Sequence, residues 1–280
     1  MTSTRRPAIA LAAIAVATAL LTTAFAGIAA AGDSGSDLQR VQRSGDELAK
    51  SGSAKFRGRS TLDTGGAGSK VAFDGRFDFG QRTGEYSTSL SAFGAPGKGK
   101  VRGLLLDGAV LLGLNALRSQ PEFESIPEGK DWLKIDPDAV GTSEVVQRDP
   151  SSSLDALRGA TGRVTRVGSE TIRGVNTTHY RVSLDLAQAI SNAPEAQRDR
   201  VETSVIALGT RNIPADVWID GKGRVRKLHL RLKGGTVVTP GSVEFEFFDL
   251  GTPVAVTQPD PNSVVDLGQI VAGAPTGGTG

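Results

Sequence analysis

The chain has no cysteine and only two histidines, His179 and His229, in 280 residues. The first absence excludes disulfides, zinc–thiolate sites and thiol nucleophiles. The second leaves little for general acid–base chemistry near neutral pH. There is no Gly-x-Ser-x-Gly elbow to hold a serine nucleophile. Charge of one sign is missing too. Without Arg5 and Arg6 of the N-terminal segment, 30 basic residues face 30 acidic ones, so the chain lacks the basic footprint of a nucleic-acid binder. Aromatic residues make up only 5%, whereas glycine is abundant at 36 residues. Glycine at that level without a collagen period points to many turns between short strands.

The stretch Val164–Leu186 reads as a β-hairpin. Its arms are Val164–Arg173 and Thr177–Leu186, joined by Gly174-Val175-Asn176. In the second arm Tyr180, Val182, Leu184 and Leu186 fall on one side, with His179, Arg181, Ser183 and Asp185 on the other. Strict alternation of this kind marks a strand with one face in an apolar interior and one in water.

The same two-residue period recurs on either side. Val71, Phe73, Phe77 and Phe79 alternate with Ala72, Asp74, Arg76 and Asp78, inside a meander that starts near Ala54 and runs through Glu85–Ala92. Val101–Asp107 and Ala109–Leu114 form the next hairpin, where Leu104, Leu106 and Leu111 help to make both faces apolar. A strand apolar on both sides is expected to be sandwiched. Asp131–Asp136 is a short strand, Pro150–Ala160 a helix, and Leu186–Leu208 has helical spacing interrupted at Pro194. Strands return over Pro214–Asp220, Arg224–Leu232 (Leu228 and Leu230 on one face) and Val243–Leu250 (Phe245 and Phe247), followed by an extended Pro253–Thr257. Before the first strand, Asp37 is placed to cap an amphipathic helix over Leu38–Lys50.

At the N-terminus Arg5-Arg6 precede an uncharged run from Ala8 to Ala31. This pattern is an export signal, or, uncleaved, a membrane anchor. Residues 1–31 are therefore set apart from one domain over 32–268, and the Gly/Ala/Pro/Thr-rich 269–280 is expected to be a disordered tail. The expected location is outside the cytoplasm, either secreted or held by that N-terminal helix.

Candidate chemistry is sparse. Gly94–Val101 matches phosphate-loop spacing as far as its lysine, but Val101 stands where Ser or Thr would hold a metal and a strand follows, so it reads as a basic turn. Neither histidine has a ligand-spaced partner in sequence, and both read as solvated surface residues. Glu244 with Glu246, and Asp74 with Asp78, read as solvated outer faces. Asn176-Thr177-Thr178 reads as turn chemistry. The apolar faces suit either a filled core or the wall of a cavity.

Val167–Tyr180, Pro214–Asp220, Phe248–Val256 and the tryptophan strand Asp131–Ile135 together resemble the actinobacterial LppX/LprG lipoprotein family, over about residues 36–268. The resemblance implies an α+β fold, a curved antiparallel β half-barrel (LolA-like) with helices packed on the concave face and an apolar cavity between them. It implies a non-enzymatic carrier of lipids or glycolipids in the cell envelope, needing no cofactor. The expected partners are the ligand itself and an envelope membrane or transporter, and a monomer is expected. The acyl-binding wall would be Val71, Phe73, Phe77, Phe79, Leu104, Leu106, Leu111, Val182, Leu184, Leu228, Leu230, Phe245 and Phe247. Family members carry a lipidated cysteine after the signal, and this chain has none. The alternative is an envelope protein-interaction module with a filled core and no ligand.

Overall fold

The computed structural model describes residues 34–62, 70–90, 99–106, 109–120, 123–124, 126–135, 150–199, 202, 212–232 and 241–268. Within them the fold is α+β, and twelve strands join in one curved, open sheet. The first wing is β1 (Ser53–Leu62), β2 (Lys70–Asp78), β3 (Thr83–Ser89), β4 (Lys100–Leu106), β5 (Ala109–Gly113) and β6 (Trp132–Ile135). The second is β7 (Ala160–Ile172), β8 (Val175–Asp185), β9 (Asn212–Asp220), β10 (Val225–Leu232) and β11 (Gly241–Phe248). Strand β11 turns back to pair antiparallel with β1, Phe56 opposite Phe247, and this long-range ladder fuses the wings. A short β12 (Val264–Asp266), which the sequence does not announce, pairs with β6 and is the parallel partner in an otherwise antiparallel sheet. No described helix is long and apolar enough to cross a membrane. Residues 1–31, expected to be a signal or anchor, residues 269–280, expected to be a tail, and most of Gly94–Val101 lie outside the described residues.

Helix α1 (Ser34–Ala49) buries Val41, Ser44 and Leu48, one stripe of the helix, against β7, β9 and β10. It begins three residues before Asp37, so that residue is inside the first turn and not the cap. Its buried carboxylate accepts from Arg166 Nη2 at 2.9 Å. A second helix, α2 (Pro150–Asp155), continues as a 3₁₀ turn over Ala156–Gly159 and packs beside α1. The expected Leu186–Leu208 helix is shorter: α3 (Leu186–Asn192) is capped by Asp185, which accepts from the Ala187 and Gln188 N–H groups, and it stops before Pro194. Residues 200, 201 and 203–208 of that expectation lie outside the described residues.

The central hairpin has a tighter turn than its sequence suggests. Arg173 (φ 48°) and Gly174 (φ 78°) form a two-residue connection with both φ positive, which matches the twist of the flanking strands. Asn176 is therefore a strand residue opposite Thr171, not a turn residue.

Glycine shapes the inner face of the first wing. A Cβ at Gly58 would run into the ring of Phe73, one at Gly103 into Tyr86, and one at Gly84 would meet Phe77 Cδ2 at 2.8 Å. One at Gly75 would meet Phe56 Cζ at 2.9 Å. The rings lie across the sheet over strand glycines instead of standing up from it. Gly58→Ala is expected to lower stability by about 2 kcal/mol through overpacking. Gly168→Ala, with nothing within 4 Å of the new carbon, should change it by less than about 0.5 kcal/mol. Urea unfolding of the two variants checks the pair.

Candidate functional site

The ladder registers sort the sequence-predicted wall onto two faces. Across the sheet Phe73 meets Gly58, which meets Phe245, which meets Leu228, then Val217 and Tyr180. Partners in antiparallel register share a side, so these residues form one inner row. Val71, Phe77, Phe247, Leu230, Val182 and Leu184 lie on the same face, and all are buried in one continuous apolar cluster with Val41 and Leu48 of α1. Phe79, just past β2, is half-buried and meets Phe77 edge-on at 5.4 Å.

Leu104, Leu106 and Leu111 are on the other side. Leu104 pairs with the ion-paired Glu85 and with Leu111, Leu111 pairs with Lys134, and Leu106 has the same parity. Their inner-face counterparts are Leu105, Val110 and Leu112. In a hairpin apolar on both faces the alternation carries no sign of which side is interior, and these three leucines of the expected wall fall on the outer side. Two aromatic members of the inner face, Phe56 and Tyr86, are missing from the predicted wall. Phe56 packs 6.2 Å from Phe73 and from Phe245, and Tyr86 lies 6.4 Å from Phe73. Alternation around Phe56, Gly58 and Ser60 was the available signal for the first. The Tyr86 hydroxyl is buried with no hydrogen-bond partner, a donor held inside an apolar surface.

The outer face of the second wing carries the charge. Asp216, 2% exposed, lies between β8 and β10. His179 Nε2 donates to its Oδ1 at 2.7 Å, Arg181 Nε approaches the same oxygen at 3.3 Å, and Arg231 bonds Oδ2. His179 stacks on Trp218 at 4.2 Å between centroids, and the indole N–H donates to Glu170 Oε2 at 2.6 Å. Burial alone would raise the Asp216 pKa, but the His179 hydrogen bond and the Arg231 charge outweigh it and hold the carboxyl at about 2. Burial, then the Arg231 charge, push His229 below its ordinary value. Burial likewise opposes ionisation of Glu244, but the Lys227 hydrogen bond at the head of an ion pair with Nζ 2.9 Å away prevails and lowers it. The expectation of solvated histidines is thus corrected: both are half-buried, and the partner of His179 is 37 residues away in sequence. Strand pairing brings it there, which a search of local spacing cannot detect.

Three clefts border described residues away from the inner face. One of about 500 Å³ crosses the outer face of β1–β4, and two of about 560 and 410 Å³ lie by Arg173–Val175 and by Lys222–Arg224.

Sheet and faces define an α+β protein whose open antiparallel sheet has an apolar interior side and a charged exterior side. Among solved structures the chain is similar to the lipoprotein LppX of Mycobacterium tuberculosis, with TM-score 0.49 and 16% identity over 81% of this chain and 100% of that one. It is also similar to LprF of Mycobacterium bovis, with TM-score 0.47 and 14% identity over 81% of this chain and 98% of that one. A Streptomyces griseus protein described as an uncharacterized 31.2 kDa protein in the rplA-rplJ intergenic region is 29% identical over 168 residues. The match takes in 54% of this chain and about half, 53%, of that relative's length. No protein-family model matches the chain.

The Asp216 cluster generates a pH prediction. Its folded pKa, about 2, lies below the ordinary 3.8, so its stabilisation is complete above about pH 4 and lost as pH falls toward 2. That increment is about 2 kcal/mol. Asp216→Asn should lower stability at pH 7 by about that amount and should not lose it again between pH 4 and pH 2. Urea unfolding of both proteins across that range measures the difference.

Proposed function

We infer that this protein is an exported, non-enzymatic carrier that holds the acyl chains of lipids or glycolipids against the inner face of its sheet. The observation that carries this reading is the unbroken apolar row from Phe73 through Phe245, Leu228 and Val217 to Tyr180. Over the first wing, rings laid flat on glycine keep that surface low. Burial of one CH₂ is worth about 0.8 kcal/mol, so a 16-carbon chain gains on the order of 10 kcal/mol before ordering costs, with no polar motif required. The unpartnered Tyr86 hydroxyl offers a donor to an ester or hydroxyl oxygen of the ligand. The LppX/LprG resemblance and the apolar N-terminal run support placement in the cell envelope, outside the cytoplasm. The ligand-contacting set proposed is Val71, Phe73, Phe77, Phe79, Val182, Leu184, Leu228, Leu230, Phe245 and Phe247, with Phe56 and Tyr86 added. The inner side chains are closed to water, Phe245 and Leu228 being 0% exposed, so loading requires a segment covering the inner face to move off the sheet.

That closure is also the observation favouring a second reading, an envelope protein-interaction module with a filled core. One experiment separates the two. Organic extracts of natively purified protein, analysed by mass spectrometry, are expected to contain acylated lipid at near-stoichiometric amounts. Phe245→Asp, which puts a charge in the middle of the row, should lose most of it. Extracts that are repeatedly empty, together with no uptake of added lipid, would leave only the interaction module.

A further inference from the structure

The cleft across β1–β4 is the outer-face counterpart of that wall, and its construction follows from the register. Its floor is backbone, the row Phe56–Gly75–Tyr86, whose side chains belong to the inner face and whose central member has none. One wall is the cross-strand row Phe248, Lys55, Arg76, Glu85, and the other is Arg57, Asp74, Ser87, Arg102. Lys100 stands at one end. Five cations thus face two carboxylates in a chain whose charges otherwise balance.

The carboxylates do not consume the excess. Glu85 is shared by Arg76 at 2.6 Å and Arg102 at 3.0 Å, and Lys55 reaches out of the cleft to Asp249 at 2.8 Å. Arg57 and Lys100 enter no ion pair among the described residues, and both are exposed. A second observation points to a ligand rich in acceptors. Arg76 Nε and Ser87 Oγ are buried without a hydrogen-bond partner, and both residues border the cleft. Two such donors beside a surplus of positive charge match an oxyanion, and phosphate oxygens supply both charge and acceptors. The Phe248 ring, capped by Arg173 at 3.9 Å, gives one end an amphipathic rim suited to a membrane interface.

We propose that this cleft docks the protein on an anionic lipid surface, its cations taking headgroup phosphates while the apolar inner face stays turned away. The proposal rests on the carrier reading only in that a carrier must meet the membrane it serves. Attraction of this kind is electrostatic, acts within about a Debye length and weakens with salt.

The test is co-sedimentation of the full chain with vesicles of phosphatidylcholine alone and of phosphatidylcholine with phosphatidylglycerol. Every comparison is between variants that share Arg5, Arg6 and the apolar run of the N-terminal segment, so a difference in binding reports the substituted sites. Arg57→Glu/Lys100→Glu is expected to weaken binding to the anionic vesicles by about tenfold at low salt, with no change on neutral ones. Arg198→Glu/Lys222→Glu, the same charge change at exposed sites elsewhere, should bind as the parent does. Arg57→Gln/Lys100→Gln should fall between and serves if the reversal disturbs folding by circular dichroism. Equal binding by the cleft variants and the control pair would overturn the proposal and leave the patch to an acidic protein partner. Lipid content in organic extracts is read separately, so failure here and failure of the acyl-binding reading are distinguishable.

Discussion

A two-residue side-chain period, held in register across twelve hydrogen-bonded strands, is the constraint on which the rest of this structure depends. It sends Phe73, Phe245, Leu228, Val217 and Tyr180 to one side, and Arg57, Glu246, Lys227 and His179 to the other. A slip of one residue anywhere would bury a charge row and expose a row of rings, so the pairing is strongly specified. The β1–β11 ladder makes the two wings one surface, and the contact order of that closure is high: Gly58 pairs with Phe245. Both proposed activities follow from the segregation. The apolar side suits hydrocarbon because its central row carries no charge, and the charged side has cations to offer because most of them, Arg166 with Asp37 excepted, point outward.

Most of the fold was legible in the chain itself. The strand alternations at Val71–Phe79 and Tyr180–Leu184, and the leucines of β10, each place the correct side inward, because charged residues occupy the alternate positions and label the outside. The hairpin Lys100–Gly113 lacks that label. With Leu104, Leu105 and Leu106 consecutive, either parity looks interior, and only pairing with Glu85 and Lys134 settles it. Asp37 looked like a helix cap because the residues before it are Gly and Ser, yet they are helical, and the carboxylate serves Arg166 on β7. The Asp216 cluster was illegible for a different reason. His179, Asp216 and Arg231 come from three strands, and neither propensity nor spacing encodes their approach.

The second wing shows how a sheet tolerates a buried carboxylate on its outer side. Asp216 is closed off from solvent by the side chains that neutralise it, and its oxygens are shared among His179, Arg181 and Arg231. Asp220, near the end of the same strand, is handled alike by Arg224 and Arg226, each with Nε 2.9 Å from Oδ2. The charges clamp β8, β9 and β10 from outside while α1 packs from inside, so this wing is stiff. The first wing has a corresponding clamp, Glu85 shared by Arg76 and Arg102 across β2, β3 and β4, that is more open to solvent. Its inner surface is rings on glycine, which is where a covering segment can lift with least loss of specific contacts, and where entry of an acyl chain is expected.

The proposed place of the hydrocarbon, the inner face, can be read by tryptophan fluorescence. Both native tryptophans, Trp132 and Trp218, are on the outer face, so the protein carries its own control. Titration with a dibrominated stearate, whose bromines quench indole only at contact range, should leave the fluorescence of the native chain unchanged. In Phe73→Trp it should remove the added emission. Quenching of the native tryptophans, or none at position 73, would contradict the account.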